Sequence, residues 1–202
     1  MIGLRIRNAR GRIDGRIGKI IGVVGTSQGC GSTYVGLLIA NVLKKVRDSK
    51  VAYIHMSGNY TTLHSSGDEL EDRIYVYKGI IYYARGGIED VLEALNDSYD
   101  HIIIDFGNGQ LKYMKELMRC DIKVVVGLAT SWKLQCFEEF LTDNEEVISK
   151  GKWRYVFNLT SDAVTKKLRG RYKIRAVNIG YEECFYSVEN DNFKRIIALL
   201  EG

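Results

Sequence analysis

The chain has 202 residues, 46% of them hydrophobic and 27% charged, with a net charge of +4, enough apolar material to bury one substantial core without metals or disulfides. No apolar run approaches the roughly 20 residues of a membrane-spanning helix, and the N-terminus lacks the apolar core of a secretory signal, so the expectation is a soluble, intracellular protein. Cys30, Cys120, Cys136 and Cys184 stand far apart with no CxxC pair, which argues against a zinc site or a disulfide framework and leaves reduced thiols.

The positive charge is local. Arg5, Arg7, Arg10, Arg12, Arg16 and Lys19 against Asp14 give the first 19 residues +5, and the 23 cations and 24 carboxylates beyond them leave −1. Residues 1–18 therefore read as a basic arm, suited to DNA, an anionic membrane surface or an acidic partner, or simply to a solvated leader. Residues 19–202 read as one α/β domain, because strand-length apolar runs alternate with helical patterns.

In chain order, Lys19 to Val24 predicts a buried strand. After a glycine-rich turn, Thr33 to Val46 sets Val35, Leu38, Ile39, Val42 and Val46 on one helical face. Val51 to His55 predicts the second strand, and the polar stretch from Ser57 to Asp72 a loop long enough to bind or switch. Arg73 to Tyr77 and Ile80 to Tyr83 form a hairpin or two separate strands. A helix over Ile88 to Leu95 is followed by an apolar strand, His101 to Asp105, closed by a carboxylate. Then come a helix (Lys112 to Met118), a strand (Ile122 to Leu128), a long helix (Trp132 to Ile148), a strand (Trp153 to Asn158), a helix (Asp162 to Leu168), a strand (Ile174 to Ile179) and a last helix (Asn190 to Leu200).

The most informative segment is Gly25-Thr26-Ser27-Gln28-Gly29-Cys30-Gly31-Ser32-Thr33, between the first strand and the first helix. In a phosphate-binding loop, successive backbone N–H groups and the helix N-terminus surround phosphate oxygens, a lysine adds charge and the next hydroxyl holds magnesium. Ser32 occupies the lysine position here and Thr33 the magnesium position. Cys30 offers a thiol at a helix N-terminus, but with no base nearby in sequence a nucleophilic role is disfavoured. His55, His64 and His101 lack metal-ligand spacing. Tyr75, Tyr77, Tyr82 and Tyr83, interleaved with Arg73, Lys78 and Arg85, suit a strand better than a binding surface. Trp132, Leu134, Phe137, Phe140 and Leu141 suit core packing, and any that stay exposed would make their helix an interface.

Residues 20–33, with Asp105 ending a later strand, resemble the deviant-Walker P-loop proteins of the ParA/MinD type. The resemblance implies a mainly parallel sheet with helices on both faces. It assigns ATP or ADP with Mg2+ to the loop, through Gly29, Cys30, Gly31, Ser32 and Thr33, with Thr33 and Asp105 at the metal and Asn158 near adenine. It also implies dimers whose nucleotide sites face each other. Departures are specific: Ser27 stands where the family's signature lysine would cross to the partner, Gln28 replaces a glycine and Ser32 the main phosphate lysine. His55, Met56 and Ser57 lie where the family has a water-orienting aspartate. Losing both lysines removes the charge that stabilises a γ-phosphate and its transition state. The expectation is a positioning or assembly adaptor, similar to the TadZ/CpaE-like proteins of pilus and secretion machinery and peripheral at the inner face of the membrane, with weak or no hydrolysis. Two alternatives remain open: an ATPase using a cation from elsewhere, and a DNA or membrane-surface binder using the arm.

Overall fold

The computed structural model describes residues 12–13, 16–17, 19–47, 49–56, 68–71, 73–108, 110–149, 151–184, 188 and 190–201. Two short strands, β1 (Arg12–Ile13) and β2 (Arg16–Ile17), pair antiparallel across the dipeptide Asp14-Gly15. Arg5, Arg7 and Arg10 of the basic arm, and Ser57 to Gly67 of the polar loop, lie outside the described residues.

The remaining strands are β3 (Lys19–Gly25), β4 (Val51–His55), β5 (Asp68–Glu71), β6 (Ile74–Tyr77), β7 (Ile80–Tyr83), β8 (His101–Asp105), β9 (Ile122–Leu128), β10 (Trp153–Asn158) and β11 (Ala176–Ile179). They form one nine-stranded sheet in the order β11-β10-β9-β3-β8-β4-β7-β6-β5. It is parallel from β11 to β7 and antiparallel only at the β7-β6-β5 edge. The helices are α1 (Ser32–Arg47), α2 (Ile88–Asn96), α3 (Gln110–Arg119), α4 (Ser131–Asp143), α5 (Glu145–Ile148), α6 (Asp162–Tyr172) and α7 (Asn190–Glu201).

The period-2 alternation of each strand divides the core in two. Ile21 and Val23 of β3, Tyr53 of β4 and Ile103 of β8 face one layer with Val35, Leu38, Ile39 and Val42 of α1 and Ile196 and Leu199 of α7. Ile20 and Val24, Ile54, and Ile102 and Ile104 face the other, with Ala94 of α2, Leu117 of α3, Phe137 and Phe140 of α4 and Leu168 of α6. Gly22 lets α3 approach β3: a Cβ there would stand 2.7 Å from Leu117 Cδ1 and 2.8 Å from Cys120 Sγ.

Three details correct the sequence expectations, and the hairpin at residues 73–83 decides between two alternatives the sequence left open. Asp68–Glu71, expected within a loop, is an edge strand. Residues 73–83 form a hairpin, in which Lys78 and Gly79 both take positive φ (48° and 74°), the backbone of a two-residue I′ turn. The long helix breaks at Asn144, whose side-chain amide bonds back to Phe140 O at 2.8 Å and leaves α5 as a separate turn. Val46, placed by periodicity on the buried face of α1, is 42% exposed at the end of that helix.

The chain enters at β3, moves to β4 and β7 on one side, returns through β8 beside β3, and continues to β9, β10 and β11 on the other. In open α/β sheets such a reversal opens a crevice at the carboxyl ends of the strands, where ligands bind. The loop after β3 occupies that point.

Candidate functional site

Topology and register place the site. Asp105, last residue of β8, is paired with Val23 of β3 on one side and His55 of β4 on the other. Because residues two apart share a face, Tyr53, His55 and Asp105 all project toward the first turn of α1. Thr33 closes the group from above: its hydroxyl donates to Asp105 Oδ2 at 2.6 Å. Tyr53 OH donates to the same oxygen at 3.0 Å, and Gly107 N–H donates to Oδ1 at 2.9 Å. Asp105 is fully buried.

His55 Nε2 lies 3.5 Å from Asp105 Oδ2 and 3.4 Å from Thr33 Oγ1. Burial pushes the imidazole below its ordinary value, and the nearby carboxylate, which pulls the other way, is the smaller influence. Burial therefore favours the neutral imidazole, despite the ion-pair distance to Asp105.

Backbone geometry explains the loop's glycines. Gly29 and Gly31 adopt φ of 75° and 88°, a region glycine enters without the Cβ penalty. A Cβ on Gly31 would also run into Asn158 Nδ2. That amide group donates to Cys30 O at 2.6 Å, so β10 clasps the loop through Asn158, whose Oδ1 has no partner among the described residues. The oxygens Thr26 Oγ1 and Ser27 Oγ are likewise buried and unpartnered. Among the described residues the N–H groups of Gln28, Gly29, Gly31 and Thr33 have no backbone acceptor, while that of Ser32 faces the Cys30 sulfur. Together these are the donors and orphaned polar atoms that a polyphosphate would satisfy.

The residues expected from sequence converge: Gly29, Cys30, Gly31, Ser32, Thr33, Asp105 and Asn158 surround one loop. Cys30 turns its side chain inward, since a Cβ on Gly25 would stand 2.5 Å from its sulfur, and burial raises its thiol above the ordinary value, so only its backbone faces the site. Of the tyrosines beyond the loop, Tyr75, Tyr82 and Tyr83 are buried strand residues and form no binding surface.

Sequence reasoning missed three participants. Tyr53 carried a weak signal, lying two residues before His55 on the same strand face. Gly107 carried none. Lys133, in the first turn of α4, sends Nζ to Gln28 O at 3.2 Å across 105 positions of chain, a contact that exists because β9 pairs with β3. Exposed apolar side chains also ring this end of the sheet: Trp132, Leu159 and Tyr181, exposed by 73%, 71% and 74%, follow β9, β10 and β11 in turn.

A glycine loop between a central strand and its helix, with a threonine at the helix start and an aspartate ending the adjacent strand, defines a P-loop NTPase fold of the ParA/MinD type. Solved structures of that type superpose over nearly the whole chain. A ParA family ATPase from Chlorobium tepidum matches with a TM-score of 0.65 and 17% identity, over 90% of this chain and 96% of that one. A putative plasmid partition protein from Borrelia burgdorferi, bound to AMPPNP, matches with 0.64 and 16% over 91% and 97%. The cell division ATPase MinD of Pyrococcus furiosus matches with 0.63 and 18% over 90% and 96%. No protein-family model matches the sequence, and no curated protein does.

No group of three or more His, Cys, Asp or Glu among the described residues could hold a metal by itself. No described helix is long and apolar enough to cross a membrane.

Proposed function

We propose that the chain is a nucleotide-responsive positioning or assembly adaptor, in which residues 19–202 act as one unit and the P-loop binds ATP or ADP with Mg2+ while hydrolysis is slow or absent. The observation that carries this reading is the pairing of an uncharged loop with an intact lower shell. Ser27 and Ser32 stand at both lysine positions, yet Thr33 and Asp105 remain joined at 2.6 Å beneath loop N–H groups that have no backbone acceptor among the described residues. Backbone N–H groups and the N-terminus of α1 supply binding without a lysine; stabilising the charge of phosphoryl transfer needs more.

Thr33 and Asp105 would hold the magnesium, and Asn158 Oδ1 is available to a ligand's donor. The AMPPNP of the Borrelia protein supports a nucleotide as the ligand. The exposed trio Trp132, Leu159 and Tyr181 supports a protein partner or a second copy at this edge, and the MinC:MinD complex of Aquifex aeolicus is a related fold holding a partner. A place in pilus or secretion machinery, peripheral to the membrane, follows from the TadZ/CpaE resemblance alone.

The test is isothermal titration with ATP and ADP, with and without Mg2+, alongside phosphate-release kinetics. Magnesium-dependent binding with no release above background is the expected result. Turnover abolished by Asp105→Ala would replace the adaptor with an ATPase, and no binding at millimolar nucleotide would leave the loop as scaffold only.

A further inference from the structure

We propose that Lys133 is the phosphate-binding cation of this loop, taking over from α4 the role that Ser32 cannot perform; the inference rests on reading the loop as a polyphosphate site. The loop itself, Thr26 to Thr33, contains no charged side chain. Among the described residues, Lys133 is the cation whose side chain hydrogen-bonds to it, through Gln28 O at 3.2 Å. That carbonyl belongs to an exposed residue next to Gly29, at the end of the loop where N–H groups have no backbone acceptor among the described residues.

The position is built by the fold. β9 lies against β3 on the side opposite β8, so the helix after β9 begins beside the loop after β3. Lys133 is fixed in the first turn of α4 by its own N–H, which donates to Thr130 O at 2.9 Å. It is half-buried, and its ammonium reaches the loop.

Local charge leaves the ammonium available. The first turn of α4 contains no acidic residue, and no ion pair involves Lys133 among the described residues. The nearer carboxylates of the helix are engaged elsewhere: Glu138 with Arg171 and Tyr172, and Glu139 with Gln135. An ammonium carries three donors on a flexible four-carbon stem, so one contact to Gln28 O leaves two for phosphate oxygens. A monodentate point charge of this kind suits the terminal oxygens of a nucleoside di- or triphosphate. Gln28 O, in turn, positions the ammonium before the ligand arrives.

The experiment titrates the full chain with MgATP and, as a base-free probe, with magnesium tripolyphosphate, comparing wild type with Lys133→Met, Lys133→Arg and Lys152→Met. Lys152 lies at the start of β10, at the opposite end of the sheet, and controls for overall charge. Lys133→Met is expected to weaken both ligands by about tenfold to a hundredfold, the range for losing a charged hydrogen bond. Lys133→Arg should keep most of the affinity and Lys152→Met all of it. Adding Ser32→Lys to Lys133→Met should restore binding. Equal affinity in wild type and Lys133→Met overturns the inference while leaving the nucleotide site standing, and equal losses in Lys133→Met and Lys152→Met overturn it as a bulk charge effect. A wild type that binds neither ligand overturns the inference and the nucleotide reading together. Lys133 is surface-facing, and coincident urea transitions of the variants confirm that the loss is one of binding.

Discussion

Replacing Asp105 by alanine separates two accounts of this carboxylate, because they give opposite signs. If Asp105 is a buried charge held for a cation, removing it relieves desolvation and stabilises the ligand-free protein. If it is a saturated acceptor, removal strands its donors. The structure favours the second: Thr33 Oγ1, Tyr53 OH and Gly107 N–H all donate to it, at 2.6, 3.0 and 2.9 Å. Thr33 is half-buried and can turn to water, whereas Tyr53 and Gly107 are buried and lose a charged-group acceptor that water cannot readily replace. Two buried donors that lose this acceptor, at about 1–3 kcal/mol each, give roughly 2–6 kcal/mol, and relief of desolvation brings the expected loss to about 3 kcal/mol. That is a large part of the stability of an ordinary domain. Urea unfolding of the nucleotide-free protein measures it, with the m-value unchanged. Tyr53→Phe should cost about 1–2 kcal/mol alone, and less in the Asp105→Ala background, with a coupling energy of about 1 kcal/mol. A stabilised Asp105→Ala protein, or additive losses, would refute the reasoning.

Burial holds His55 below its ordinary pKa of 6.5, so below about pH 6.5 the unfolded chain takes up a proton that the folded chain refuses, and stability falls as pH drops. Urea midpoints between about pH 5 and 8 should show this slope in the wild type and a flatter one in His55→Gln; identical slopes would remove His55 from the account. Thiol labelling at neutral pH should modify exposed Cys184 first, half-buried Cys136 more slowly, and Cys30 and Cys120 only in denaturant. Burial raises the Cys30 thiol and pushes that of Cys120 up to about 12, and rapid labelling of Cys30 in the native protein would contradict the inward orientation of its side chain.

Where a residue's role follows from periodicity, the sequence was sufficient. Val35, Leu38, Ile39 and Val42 repeat at helical spacing and are all fully buried on α1, and the apolar run 102–104 ending in Asp105 formed the strand its composition indicates. β5 was not legible, because Asp-Glu-Leu-Glu has poor strand propensity and is held at an edge, where charged residues guard against further pairing. β1 and β2 carry a short-range signal in Arg-Ile-Asp-Gly-Arg-Ile, where a dipeptide common in hairpins separates two matching strand dipeptides. At the site, the loop and Asp105 were legible because strand order and glycine spacing are local patterns. Lys133 was not, since nothing around Thr130 to Leu134 indicates that β9 will lie beside β3.

On the reading proposed above, a loop with Ser27 and Ser32 in place of lysines would act on binding and hydrolysis unequally. A bound polyphosphate would lie above a buried Asp105, so the site must offset negative charge from two directions. The first turn of α1, free of acidic residues, contributes its dipole, equivalent to about half a charge, and the loop N–H groups contribute hydrogen bonds whose energy does not depend on a lysine. These act on the ground state as much as on the transition state, and uniform binding of that kind does not accelerate chemistry. A lysine on the γ-phosphate acts where charge develops, and Lys133, held at Gln28 O, is the side chain proposed above to supply that charge from the side of α4. Tyr53 and His55 occupy the floor of the site beside Asp105, and the hydrogen bond from Tyr53 OH to Asp105 Oδ2 ties the ends of β4 and β8 into a firm base beneath the loop.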